Sequence, residues 1–133
     1  MVIDTSAIVA ILSGEPERDE FLSWLAGTPV RCMSAMSILE AGIVIESRYG
    51  QAALGDLELL IFTAKIETIA FDKRQADMAQ IAWRRFGKGN HPAKLNFGDC
   101  CVYALAKKSG MPVLCKGRDF ALTDVDVLTP ESL

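Results

Sequence analysis

The sequence predicts an α/β sandwich on a mainly parallel sheet of four to five strands. Two observations predict it. Short apolar runs alternate with longer amphipathic ones along the whole chain, and glycines close most of the longer segments, at Gly27, Gly50, Gly87 and Gly110. Strands that alternate with helices in this way pair in parallel, because each helix carries the chain back to the same sheet edge.

The elements follow in order. MVID at 1–4 reads as a buried strand, and Ala7–Leu12 as a helix broken by Gly14 and Pro16. Pro16 suits the first turn of a second helix that ends near Gly27. VRCMS at 30–34 is a strand. Residues 36–49 are a helix ending at Gly50, and 51–64 are another. IETIAF at 66–71 is a third strand, and Asp72–Phe86 a helix stopped by Gly87. Lys88–Asn96 is a loop rich in Gly, Asn and Pro, followed by a helix over Phe97–Ser109 closed by Gly110. Pro112 opens a fourth strand, PVLCK, and a short last strand is expected around Val125–Leu128. Repeats, linkers and low-complexity segments are absent.

The 133 residues are expected to form one domain over 1–133. Half are apolar, yet no stretch is long or clean enough to span a bilayer. The N-terminal run has no basic leader and carries Asp4, so a cytoplasmic protein is expected. Cys32, Cys100, Cys101 and Cys115 make no C-x-x-C pair and sit in apolar runs, which reads as buried free thiols in a reducing compartment. His91 is the single histidine, so motifs that need two are excluded. The net charge of -3 argues against a protein that coats nucleic acid with a broad positive face.

Four acids stand where an α/β sheet presents ligands, beyond the carboxyl ends of its strands. Asp4 ends the first strand, and Asp119 follows the fourth. Glu40 is about a turn and a half into the helix after the second strand, and Asp99 lies in the first turn of the helix before the fourth. Each has a second reading: Asp4 as an N-cap, Asp99 as an acid at the positive end of its helix, Asp119 as a turn residue. Helical spacing weighs against the second reading for two of them. Met36, Ser37, Ile43 and Val44 neighbour Glu40, and Val102, Tyr103 and Ala106 neighbour Asp99, so both acids lie on the apolar stripe. A carboxylate there is costly without a partner, and no Lys or Arg stands at adjacent helical spacing. A divalent cation is the natural partner. All-oxygen donors without His or Cys fit Mg²⁺ or Mn²⁺, ions that serve phosphate chemistry.

These residues carry a resemblance. M-V-I-D-T-S-A at the start, S-x-x-S-x-L-E-A at 34–41, L-N-F-G-D-C at 95–100 and K-G-R-D-F-x-x-T-D at 116–124 cover the chain in order. The sequence resembles PIN-domain ribonucleases, in particular the VapC-type toxins of toxin–antitoxin pairs. The resemblance implies a three-layer α/β/α fold and a Mg²⁺- or Mn²⁺-dependent endoribonuclease cleaving RNA, often transfer RNA. It also implies a homodimer inhibited by a cognate antitoxin. Its acidic quartet is Asp4, Glu40, Asp99 and Asp119, with Asp124 and Asp126 close enough to compete for the fourth place. Ser6, and Thr5 beside it, could bind a metal-bound water or a phosphate, or cap the helix. Asn96 reads as an N-cap.

From Met78 to Gly98 there is no Asp or Glu, while Arg84, Arg85, Lys88, His91 and Lys94 fall within that stretch. With Lys116 and Arg118 near the fourth acid, Arg84, Arg85, Lys88 and Lys94 are the candidates for holding an RNA backbone. The alternative is a helix end whose Arg84 and Arg85 favour the C-terminal dipole. Trp83 and Phe86 could stack on bases or pack in the core. His91 reads as a surface residue and stays outside the catalytic set.

Two other readings compete. A phospho-acceptor receiver domain needs an acid pair after the first strand and a late Lys-Pro, and neither occurs. An aspartyl phosphatase needs an acid where Ser6 stands. The alternative within the family is a catalytically inactive PIN-fold module that binds RNA or a partner. Leu57, Leu59, Leu60, Ile61 and Phe62 make the 51–64 helix apolar on more than one face, which points to a two-fold homodimer using that helix and parts of 36–49.

Overall fold

The computed structural model describes residues 1–130, so the last three residues of the expected domain lie outside it. Five strands form one sheet: β1 (Val2–Ile3), β2 (Cys32–Ser34), β3 (Glu67–Ile69), β4 (Val113–Leu114) and β5 (Val127–Leu128). Their spatial order is β3-β2-β1-β4-β5, and every pairing is parallel. Between them run α1 (Thr5–Leu12), α2 (Arg18–Gly27), α3 (Ala35–Tyr49), α4 (Leu54–Thr63), α5 (Lys73–Phe86) and α6 (Phe97–Ser109).

Alternation along each strand divides the core. Val2, Cys32 and Val113 point to one face, where they pack with Ala82 and Phe86 of α5 and with Val102, Tyr103 and Leu105 of α6. Ile3, Met33 and Leu114 point to the other, against Ile8 of α1, Phe21 and Leu25 of α2, Ala41 of α3 and Leu57 of α4. This is the three-layer α/β/α arrangement, with helices on both faces of a parallel sheet. All four cysteines are buried free thiols, as expected, and burial pushes the Cys100 thiol up to about 11.

The strands are shorter than their apolar runs. Hydrogen bonding spans two or three residues in each; of the flanking apolar residues Met1, Ile66 and Cys115 are buried, whereas Val30 and Ala70 are exposed. Two helix starts also differ. α1 begins at Thr5, because Asp4 caps it by accepting the Ser6 N–H. α2 begins at Arg18 and not at Pro16: the Arg18 N–H closes a turn on the Glu15 carbonyl, which places Pro16 inside that turn. Residues 51–64 divide into a 3₁₀ turn at Gln51–Ala53 and α4, a tight start of the kind common at helix ends. In α4, Leu57 is buried and Leu60 and Ile61 pack partly against the core, while Leu59 and Phe62 are exposed. The helix is therefore partly core and partly open surface. No helix among the described residues is long and apolar enough to cross a membrane.

Candidate active site

The strand order reverses between β1 and β4, so the chain leaves these neighbours in opposite directions. A crevice opens at their carboxyl ends. Asp4, Glu40, Asp99 and Asp119 all line this one cleft, together with Thr5, Ser6, Asn96, Glu15, Arg48 and Lys116.

Asp4 is buried where β1 turns into α1. Its Oδ2 accepts the Ser6 N–H at 3.0 Å and the Ser6 hydroxyl at 2.5 Å. That hydroxyl in turn accepts the Lys116 N–H at 2.9 Å, so Ser6 ties the segment after β4 to the acid after β1. The Asp4 N–H also donates to the Leu114 carbonyl at 2.9 Å. Asp4 is thus an N-cap and a cleft acid at once. Burial raises its pKa, with smaller contributions from the charges of Glu40 and Asp119, against the lowering effect of the Ser6 hydrogen bonds.

Asp99 is buried in the first turn of α6, in a capping box with Asn96. The Asn96 Oδ1 accepts the Asp99 N–H at 2.8 Å, and the Asp99 Oδ2 accepts the Asn96 N–H at 3.1 Å. The capping reading of Asn96 holds. Burial, followed by the charges of Asp4 and Asp119, lifts Asp99 to about 7 despite the Asn96 hydrogen bond. Asp119 lines the same cleft. Val102, Tyr103 and Ala106 around Asp99 are buried, as the apolar spacing predicted.

Glu40 differs from expectation. It is exposed at the cleft rim, because α3 turns Leu39 and Ile43 outward (58% and 61% exposed), so its apolar neighbours form surface as well as core. Asp124 and Asp126 do not line the cleft. Asp124 accepts from the Tyr103 hydroxyl at 2.6 Å and pairs with Lys107 at 3.2 Å and Arg85 at 3.7 Å. The Asp126 carbonyl bonds to β4.

Residues 1–126 match the PIN domain. The chain belongs to the PIN-domain family. It is 54% identical to a Ribonuclease VapC of Mycolicibacterium smegmatis over 125 residues, 94% of this chain and 97% of that one. Its type within the family is therefore the VapC ribonuclease. VapC20 of Mycobacterium tuberculosis, described as a Sarcin–Ricin loop cleaving toxin, shares the fold at a TM-score of 0.77 and 17% identity, covering 93% of this chain and 95% of that one. So does a toxin–antitoxin complex from Klebsiella pneumoniae, at 0.73 and 20%, covering 97% and 96%.

PIN-domain ribonucleases depend on divalent metal ions. The donor set of this PIN cleft fits such an ion in kind: carboxylates and a hydroxyl, without imidazole or thiolate. Among the described residues no three acid, histidine or cysteine side chains form a ready cage. Magnesium-like ions do not require one, since they keep several waters and take only one or two carboxylates.

The basic candidates divide. Arg85 is held by Asp124 and stacks over Phe86, its guanidinium carbon 4.6 Å from the ring centroid. Lys116 pairs with Glu15 at 3.2 Å and Glu17 at 3.3 Å. Arg84, Lys88, Lys94 and Arg118 are exposed and make no ion pair among the described residues. Trp83 is half exposed, whereas Phe86 is core. His91 has a structural place: its Nδ1 accepts the Ala93 N–H at 3.0 Å, and its ring meets Phe86 edge-on at 5.1 Å.

Two cleft residues, and a glycine beside the cleft, escaped the sequence reading. Arg48 stands two turns beyond Glu40 on the same ridge of α3, at i+8, and its guanidinium reaches the Ser13 hydroxyl at 3.3 Å. The spacing of Glu40, Val44 and Arg48 was the available signal. Glu15 comes from the α1–α2 turn and gave none. Gly98 is set by close approach. A Cβ there would lie 2.6 Å from Glu40 Oε2, so only glycine lets the Glu40 carboxylate rest on the first turn of α6. Gly98→Ala is expected to displace Glu40 and lower RNA cleavage about 10-fold, with little loss of Tm, since misplacing one charged group costs rate before it costs stability. Cleavage kinetics beside a thermal melt check this, and unchanged kinetics would show that the Glu40 position is immaterial.

Proposed function

We propose that this chain is the toxin of a toxin–antitoxin pair, a metal-dependent endoribonuclease whose acidic quartet, Asp4, Glu40, Asp99 and Asp119, binds Mg²⁺ or Mn²⁺. The observation that carries the reading is the convergence of the four acids at the β1–β4 reversal, where burial and mutual repulsion hold Asp99 near pH 7. Like charges gathered at a cost to stability point to a cation that relieves them. Asp4 and Asp99 are the direct ligands, Asp119 contributes, and Glu40 acts directly or through water. When bound, the ion polarises the phosphoryl oxygen and makes a water nucleophilic. The protein's own part is to fix the acids. Ser6 holds the Asp4 carboxylate in one orientation, and the Asn96 N–H does the same for Asp99. Thr5 and its neighbours frame the sheet edge, with the Thr5 hydroxyl donating to the Ser37 carbonyl at 3.1 Å.

The substrate is RNA, with transfer RNA one candidate, held along Arg84, Lys88, Lys94 and Arg118, with Arg85 and Lys116 as shared charges at the edges. A cognate antitoxin protein is the partner, the compartment is cytoplasmic, and the domain covers 1–133. The decisive experiment is an RNA cleavage assay with Mg²⁺ or Mn²⁺ against chelator. Cleavage should disappear without metal, and neutralising Lys88 and Lys94 should flatten its salt dependence by about two in log–log slope. Metal-independent cleavage would overturn the assignment. A metal-bound, RNA-binding protein without cleavage would favour the inactive-module reading.

A homodimer is part of the same proposal. Leu39 and Ile43 of α3 and Phe97 at the start of α6 are exposed beside the cleft, and Leu59 and Phe62 of α4 add a second apolar area. Apolar surface of this kind is commonly covered by another chain. Sedimentation at micromolar concentration should show a dimer that Ile43→Glu converts to a folded monomer. A wild-type monomer, or a dimeric variant, would remove this interface.

A further inference from the structure

The fourth acid, Asp119, rests on the segment between β4 and β5, which has no helix or strand to stiffen it. Among the described residues, every backbone hydrogen bond of residues 118–125 closes within the segment: Ala121 N–H to the Arg118 carbonyl and Thr123 N–H to the Phe120 carbonyl, both at 3.1 Å. The Thr123 hydroxyl also turns inward, to the Phe120 carbonyl at 2.7 Å. Two side chains fasten it to the helices. Phe120 is 1% exposed and packs with Phe86 and Tyr103. Asp124 meets Tyr103, Lys107 and Arg85 at the distances given above.

Spacing gives this second contact its meaning. Asp99, Tyr103 and Lys107 stand at i, i+4 and i+8 on α6 and so form one ridge. The β4–β5 segment runs along that ridge, with Asp119 in the same cleft as Asp99 and Asp124 on Tyr103 and Lys107. The first of these contacts is repulsive when both acids are ionised, and it would drive the segment off the ridge. The second is attractive: a charge-assisted hydrogen bond and two cations on one carboxylate. The attractive contact therefore holds the repulsive one in place.

We propose that Asp124 is a positioning residue that sets Asp119 against Asp99, with Tyr103 and Lys107 as its anchors. The proposal rests on the reading of the quartet as the metal site. Removing the latch leaves both acids present but lets Asp119 withdraw, so affinity for the ion falls before chemistry does. Partners of this indirect kind commonly change metal affinity about 10- to 100-fold.

The experiment is a titration of the purified protein with Mn²⁺ alone, read by calorimetry, for wild type, Asp124→Ala, Tyr103→Phe and Asp99→Asn. Asp124→Ala should bind Mn²⁺ about 10-fold more weakly, and Tyr103→Phe, which loses only a hydroxyl, should weaken it about 3-fold. Cleavage by both should return towards the wild-type kcat at saturating Mn²⁺. A folded Asp124→Ala protein with a lowered Tm but Mn²⁺ affinity within about twofold of wild type would mean a purely structural contact and overturn the proposal. If Asp124→Ala does not fold, Tyr103→Phe decides by the same comparison. Asp99→Asn separates the two levels. Unaltered Mn²⁺ binding there would remove the metal-site reading itself, and the latch with it.

Discussion

Asp99→Asn should reduce RNA cleavage by about a thousandfold or more while making the metal-free protein more stable. Both effects come from one carboxylate. In the proposed metal site its charge serves the ion, yet burial and the neighbouring acids oppose that charge. Asparagine has nearly the same shape, and its Oδ1 can still accept the Asn96 N–H, so the capping box survives. Each unit of pKa displacement corresponds to about 1.4 kcal/mol, and relief of a single unit raises Tm by about 4 °C for a chain of this size. Single-turnover cleavage and thermal melts in chelator check the two halves. Wild-type cleavage would show that Asp99 is not in the site. Lost cleavage with a lowered Tm would show that its role is structural.

Without metal, the protein should be less stable at pH 8 than at pH 5, and Mg²⁺ should reverse this. An aspartate in the unfolded chain ionises near about pH 3.9, whereas Asp99 in the fold does so at about 7. Between those values the folded state keeps a proton that the unfolded state has released. Stability therefore falls as pH rises through the window and stays low above it. Asp4, also raised, acts in the same direction. Asp72 and Asp124 lie below the usual carboxylate range, so their stabilisation is complete above about pH 4, while the Met1 ammonium, lowered by burial, works in the opposite direction to Asp99 near the top of the window. Melts in chelator at both pH values, repeated with Mg²⁺ and with Asp99→Asn, test this. A wild-type Tm in chelator that does not fall from pH 5 to pH 8, or that falls as steeply in Asp99→Asn, would contradict it.

Asp4 and Asp99 were legible in the sequence because their positions follow from local rules. One ends an apolar strand run, and the other opens a helix whose i+3, i+4 and i+7 neighbours are apolar. Glu40 was legible as an acid of the cleft but not in its exposure. Helical spacing identifies an apolar stripe without saying whether core or solvent covers it, and Leu39 and Ile43 face solvent. The short strands had a related cause, since an apolar run does not mark where the ladder hydrogen bonds stop, and its flanks include both buried Met1 and Cys115 and exposed Val30. Arg85 and Lys116 read as free cations because their partners, Asp124, Glu15 and Glu17, are distant in sequence. Only the tertiary fold brings these pairs together. Gly98 stood in the L-N-F-G-D-C motif without a physical reason for a glycine, and that reason lies on α3.

The two acids that meet at the cleft ride on parts of the molecule that open by different routes. From Asp99 to Ala106 every residue of α6 is buried, so amide hydrogens there exchange only when the whole fold opens. The segment carrying Asp119 has no backbone bond to the rest of the protein over 118–125 among the described residues and is held through the side chains of Phe120 and Asp124, so its amides exchange in smaller openings than those of α6. Exchange kinetics should therefore divide the site into a slow half and a fast half. On the proposed metal site, a fourth acid that moves on its own timescale would make ion capture and release a local event, independent of global unfolding.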